Sequence, residues 1–302
     1  MRAVTVGAMS AVLATGAQSA AAHVMAAVST APPGWTWDGS VTVPLTLALG
    51  LFAAGWFRLQ RRARRGSAGL ARRAVLFAAG WLGLAAAVVS PLHQAGERAF
   101  SMHMAEHELL MLAAAPLLVL SNPLAVMLWS FPAAGRRWLG ALGHVRALTL
   151  FWRAATQPVT ATLIQAAVLW LWHAPALFDL ALADPAWHIV QHVCFLVSAL
   201  LFWTAMIRPG RSGRGVAVLC LFATSMVSGA LGALMAFSES PWYAGYAALG
   251  TDPFGLSPAE DQQIAGLLMW IPGGLVHAGA ALALIAAMLG ADAGQRSTAH
   301  AS

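Results

Sequence analysis

The sequence predicts an all-α, polytopic membrane protein of about seven transmembrane helices, with the N-terminus outside and the C-terminus cytoplasmic. Three observations carry this. Hydrophobic residues make up 59% of the 302-residue chain, charged residues only 9%, and mean hydropathy is +0.70. A soluble domain carries about 25% charged residues. Apolar stretches of about 20 residues, the length needed to span a bilayer, recur along the chain. The arginines also segregate to alternate connections, the pattern that sets topology.

The expected spans are 41–59, 73–92, 102–130, 158–174, 187–207, 215–237 and 263–289. Within the third, Pro116 and the Asn122-Pro123 step should kink or break the helix. Residues 1–40 form an N-terminal segment and outer loop, 41–290 the transmembrane domain, and 291–302 a cytoplasmic tail. The first 30 residues are Ala-rich and signal-like. Ala20–Ala22 would suit a cleavage site that leaves His23 at the new N-terminus.

All 17 basic residues are Arg. Fifteen of these 17 fall on one side: Arg58 to Arg73 between spans 1 and 2, Arg136 to Arg153 between spans 3 and 4, Arg208 to Arg214 between spans 5 and 6, and Arg296 in the tail. By the positive-inside rule that side is cytoplasmic. Ten of the 11 acids fall on the other side, Asp292 being the exception. An acidic outer face attracts cations. The sequence pI near 10.9 is therefore loop charge for topology and implies no nucleic acid. Cys194 and Cys220 lie inside apolar runs with no CxxC spacing, which argues against a thiol metal carrier or a disulfide framework.

Two histidine pairs stand out: His103 with His107 in SMHMAEHELLML, and His188 with His192 in PAWHIVQHVCFL. Residues four apart share a helix face, so each pair can aim two imidazoles at one spot. His173 closes the apolar run before Ala174-Pro175. On the topology above, all five lie at the outer ends of spans 3, 4 and 5. Buried imidazole is costly in lipid and is the commonest metal ligand. His103, His107, His173, His188 and His192 are thus the candidate metal ligands.

Further ligands, or partners that orient the imidazoles, are Met102, Met104, Glu106, Asp179, Met235, Met269, Asp261 and His277. Thioether with imidazole favours Cu(I), so copper is the first expectation, with zinc or haem as alternatives. His277 falls near mid-membrane. His93 reads as an interfacial loop residue, and His144 and His300 as solvated. Ser257 to Glu260 reads as a helix start with reciprocal capping, ahead of Asp261 in the first turn.

The chain resembles the integral-membrane CtaG-type cytochrome c oxidase assembly factors, the multi-span kind found with caa-type oxidases. The residues that carry the resemblance are His103-Met104-Ala105-Glu106-His107, Trp172-His173-Ala174-Pro175, His188 to His192, and Asp261-Gln262-Gln263-Ile264-Ala265-Gly266 with Trp270-Ile271-Pro272. They extend over about residues 40–290. The resemblance implies a seven-span protein of the bacterial plasma membrane. It would mature a haem-copper oxidase by handling copper at the outer face, with oxidase subunits or other copper chaperones as partners beside membrane lipid. The chain departs from the pattern in span 6, where Thr224 to Ser228 stand in place of a His-containing segment and Met226 is the available substitute.

Such a factor needs no nucleophile or acid–base pair. The alternatives are a membrane zinc-dependent hydrolase with Glu106 or Asp179 as base, a haem-binding membrane protein, and a copper transporter with His277 on its path. A cavity reachable by lipid would favour the hydrolase.

Overall fold

The computed structural model describes residues 32–62, 67–209 and 213–299. Arg2, the Ala20–Ala22 step, His23, Arg64, Arg65, Arg211 and His300 lie outside the described residues. Among the described residues the chain is helical throughout: α1 Gly39–Arg62, α2 Ser67–Val88, α3 Pro91–Gly96, α4 Phe100–Glu108, a π-helical segment Leu109–Ala114, α5 Ala115–Ser121, α6 Pro123–Met127, a 3₁₀ turn Leu128–Ser130, α7 Ala133–Leu142, α8 Arg146–Ala155, α9 Pro158–Trp172, α10 Pro175–Ala183, α11 Pro185–Ile207, α12 Arg214–Ala236, α13 Ala244–Leu249 and α14 Pro258–Ala299.

Six helical stretches are long and apolar enough to cross a membrane. The expected seventh, α9, has only 15 residues. At 1.5 Å per residue it covers about 22 Å, less than a hydrocarbon core of about 30 Å. It joins α8 through a 72° bend, and only that pair taken together makes a seventh crossing. The spans outline an all-α, multi-pass membrane protein. Phe57, Leu82, Leu219, Phe222, Leu275 and Leu282 stand exposed on the helix flanks, where lipid rather than water is the fitting solvent.

The third span breaks where the sequence expects, for a specific reason. In the π register the Ala115 N–H donates to Leu110 O, five residues back. The Met111 carbonyl would then need residue 116, which is proline and has no N–H. The Trp203 indole fills the gap, Nε1 donating to Met111 O at 2.8 Å. At the far end Asn122 takes a left-handed conformation, φ 51°, and the chain turns into α6 at Pro123. Arg208 donates to the Val119 carbonyl at 2.8 Å, which also accepts from Asn122 N at 3.2 Å.

The helices alternate in direction, so the arginine-bearing ends of α1, α2, α8, α11 and α12 gather at one end of the bundle. The first turns of α4, α11 and α14, with the last turn of α9, gather at the other. At that end Glu260 and Ser257 cap α14 reciprocally: Glu260 Oε2 accepts from Ser257 N at 2.8 Å, and Ser257 Oγ accepts from Glu260 N at 3.4 Å. α12 and α14 pack through Gly232 and Gly266. A Cβ at Gly266 would lie 2.4 Å from the Gly232 carbonyl oxygen, and one at Gly232 2.7 Å from that of Gly266. Backbone contact this close is open only to glycine.

Candidate metal centre

Each histidine of the pair-bearing helices is positioned by its neighbours. Asp261, the expected extra ligand, instead accepts the Phe100 and Ser101 amides at the start of α4. It thereby satisfies two orphan donors and complements the helix dipole. Asp179 likewise accepts the Ala244 and Gly245 amides, at 3.2 and 3.1 Å, and so fixes α13. Gln262 holds Trp242 N at 2.7 Å. Beneath α13 the rings of Phe100, Phe178 and Tyr243 pack against one another, Phe178 and Tyr243 at 4.1 Å. These contacts fix the first turn of α4 against the rest of the bundle.

On that frame His103 Nε2 lies 3.1 Å from His107 Nε2, and His188 Nε2 lies 3.1 Å from His192 Nε2. The rings of His103 and His188 stack at 5.2 Å, and those of His93 and His188 at 5.3 Å. His188 is thus sandwiched between the two. Among the described residues, two triads have ligand atoms within 4.8 Å of one another: His93, His188 and His192, and His103, His107 and His192. His192 belongs to both.

Within each pair the Nε2 atoms face only each other, at hydrogen-bond distance, while oxygen partners take up Nδ1 atoms. The Glu106 carboxylate, wholly buried, accepts from His93 Nδ1 at 2.8 Å and sits 3.5 Å from His192 Nδ1. Burial pushes the Tyr246 hydroxyl well above its usual range, so it stays protonated and donates to the Gly96 carbonyl. It can then only accept from His103 Nδ1, at 3.0 Å. His173 Nδ1 donates to Leu169 O at 2.7 Å. Oxygen partners on Nδ1 that orient the ring and leave Nε2 for an ion are the usual surroundings of a metal-bound histidine.

The donor set also fits an ion in size. A tetrahedral ion with nitrogens at about 2.0–2.1 Å holds them roughly 3.3 Å apart, close to the 3.1 Å within each pair. Glu106 Oε2 and His107 Nδ1 are buried without a hydrogen-bond partner. That leaves polar capacity at the site which protein groups do not use.

Of the five histidines expected from sequence, four converge. His173 is buried beside them but outside both triads, its Nε2 3.5 Å from Met104 Sδ. His93, read from sequence as interfacial, is a member. The signal was present: Ser90-Pro91 starts a helix, and Ser90 Oγ accepts from Leu92 N at 3.2 Å. That short helix turns His93 inward.

Tyr246, the partner of His103 Nδ1, is not among the residues expected from sequence. Met102 is half-buried on α4. Met235 is buried at the α12–α14 crossing. Met269 and His277 line a separate small cavity, and Met226 is 52% exposed on α12. None of these five belongs to either triad.

A large cavity of about 1760 Å³ opens beside the centre. His93, His103, His188 and His192 line one end of it and Arg208 the other. Between them its walls come from apolar residues of α1, α2 and α11, such as Leu45, Trp81 and Leu196.

Fold and site together define a multi-pass membrane protein with a histidine cluster at one end of its bundle. The chain belongs to the cytochrome c oxidase caa3 assembly factor family, whose model matches residues 50–291. Similar curated proteins are mycobacterial. An uncharacterized protein of Mycobacterium bovis is 29% identical over 254 residues, covering 78% of this chain and 36% of the relative. One from Mycobacterium tuberculosis gives the same figures, and one from Mycobacterium leprae is 27% identical over 249 residues. The chain spans about a third of the length of these relatives. No solved structure matches it significantly.

Proposed function

We propose that the protein binds copper at the outer face of a bacterial plasma membrane and passes it to a haem-copper oxidase subunit or to another copper chaperone. The observation that carries this reading is the pair of histidine triads joined at His192. Imidazole Nε2 atoms and a nearby thioether, Met104 Sδ, suit Cu(I). The bound ion would be cargo. The residues do no bond-making chemistry: His93, His103, His107, His188 and His192 capture the ion, Glu106 and Tyr246 keep the imidazoles oriented, and the open side cavity gives an acceptor access. The orientation rests on the arginines gathered at the opposite end, which the positive-inside rule assigns to the cytoplasm.

The test is the metal content and optical spectrum of the detergent-purified protein beside the H103A/H107A/H188A/H192A variant. Copper at one equivalent or more, lost in the variant, is the expected result. No metal in either protein after loading with Cu(I) would overturn the reading.

A second reading has its own observation. The large apolar cavity reaching the histidines would admit a lipid chain, which suits a zinc-dependent hydrolase of membrane lipid with Glu106 beside the ion. Zinc without copper in the purified protein would move the assignment there, and a Soret band would move it to haem.

A further inference from the structure

A second cluster of polar groups lies away from the histidine centre, inside the membrane-spanning part of the bundle. It surrounds a cavity of about 30 Å³ lined by Glu108, Thr162, Gln165, Thr224, Ser228 and His277. These residues come from α4, α9, α12 and α14, so four helices meet there. Glu108 Oε2, Thr162 Oγ1 and Gln165 Oε1 are buried without a hydrogen-bond partner. His277 also lines the cavity, its ring facing the Gly273 carbonyl one turn back.

Gln165 and His277 are 5% and 4% exposed. Native proteins leave few buried polar atoms unpaired, so three around one small cavity point to a missing ligand. Thr224 and Ser228 donate their hydroxyl protons to Cys220 O at 2.9 Å and Thr224 O at 2.8 Å. Their oxygens therefore offer lone pairs.

We propose that this cavity binds one dehydrated monovalent hard cation, Na⁺ being the ion it fits, held by the oxygens of Glu108, Thr162 and Gln165. Three arguments select the class. The unpaired atoms are mainly oxygens, the donors of hard cations. No arginine lines the cavity, so only a proton or a bound monovalent cation can neutralise Glu108 there, whereas a divalent ion would leave an uncompensated charge inside the membrane. The volume accepts about one or two water-sized species, too little for an ion with its hydration shell. Met111 and Met269 also line the cavity, but a thioether needs no partner when buried. Occupancy would tie the short helix α9 to the other three.

The test is thermal unfolding of the full, detergent-purified chain in sodium, potassium and choline chloride at equal ionic strength. Sodium should raise Tm over choline by about 2–4 °C for each tenfold excess over its dissociation constant. Gln165→Leu and Thr162→Val should abolish the difference while leaving copper or zinc binding at the histidines unchanged. Thr162→Val is nearly isosteric, which keeps the test valid if the larger change fails to fold. Equal Tm in the three salts would overturn the proposal and leave water as the occupant. So would a sodium effect that survives in both variants, or stabilisation by Cu(I) that sodium does not produce.

Discussion

Glu106 is the residue whose removal most directly probes the histidine centre. It is 0% exposed, and one oxygen faces both His93 Nδ1 at 2.8 Å and His192 Nδ1 at 3.5 Å. Each triad contains at least one of these two histidines. Loss of such an outer partner typically lowers metal affinity about 10–100-fold, or about 1.4–2.7 kcal/mol. The structure grades the effect. Glu106→Gln keeps one acceptor oxygen for the short His93 contact and should fall near the tenfold end. Glu106→Ala frees both rings and should fall near the hundredfold end. The assay is chelator competition for Cu(I) and Zn(II) in detergent, with helical content checked by circular dichroism. If both variants bind within twofold of the parent while the parent binds metal, the orienting role assigned to Glu106 is wrong.

Three further outcomes follow from the same geometry. His93→Ala should weaken metal binding by about tenfold or more, because it removes a triad member, while His173→Ala should cost less; the reverse order in chelator competition would restore the ligand set read from sequence. Protons compete with the ion for each imidazole, so once the pH is low enough to protonate the empty site apparent affinity should fall, by about tenfold per pH unit for each proton displaced; full affinity retained at a pH that protonates every imidazole would count against histidine ligands. Gly266→Ala would put a methyl group 2.4 Å from the Gly232 carbonyl oxygen; separating the helices should destabilise by about 1–3 kcal/mol, read as a lowered Tm with the metal affinity of the folded fraction little changed.

The spans and the i,i+4 histidine pairs were legible because both depend on local periodicity. The length of the apolar runs and the 3.6-residue repeat do not need tertiary information. The capping role of Ser257 and Glu260 was legible for the same reason. Asp261 and Asp179 were not. Their chemistry and their nearness to the histidines are compatible with ligation, and only the packing of α14 on α4, and of α10 on α13, turns each carboxylate toward backbone amides. His93 was read as interfacial because a six-residue helix between two long spans carries little periodic signal beyond its Ser90-Pro91 start. The span expected at 158–174 matches α9, Pro158–Trp172, but that it crosses only together with α8, through a 72° bend, is a tertiary fact.

The wide turn at Leu109–Ala114 sets the rotational phase of the third span. It holds about one residue more than an α-turn would, and one residue corresponds to about 100° around a helix. Deleting one residue there would let the helix regularise, but every later side chain would swing by that angle relative to the histidine pair. Val119, whose carbonyl receives Arg208, would then face elsewhere, and so would the turn at Asn122. The two halves of the span are therefore geared together: the end that carries imidazoles and the end that meets arginine can keep their present partners only while that one wide turn is kept.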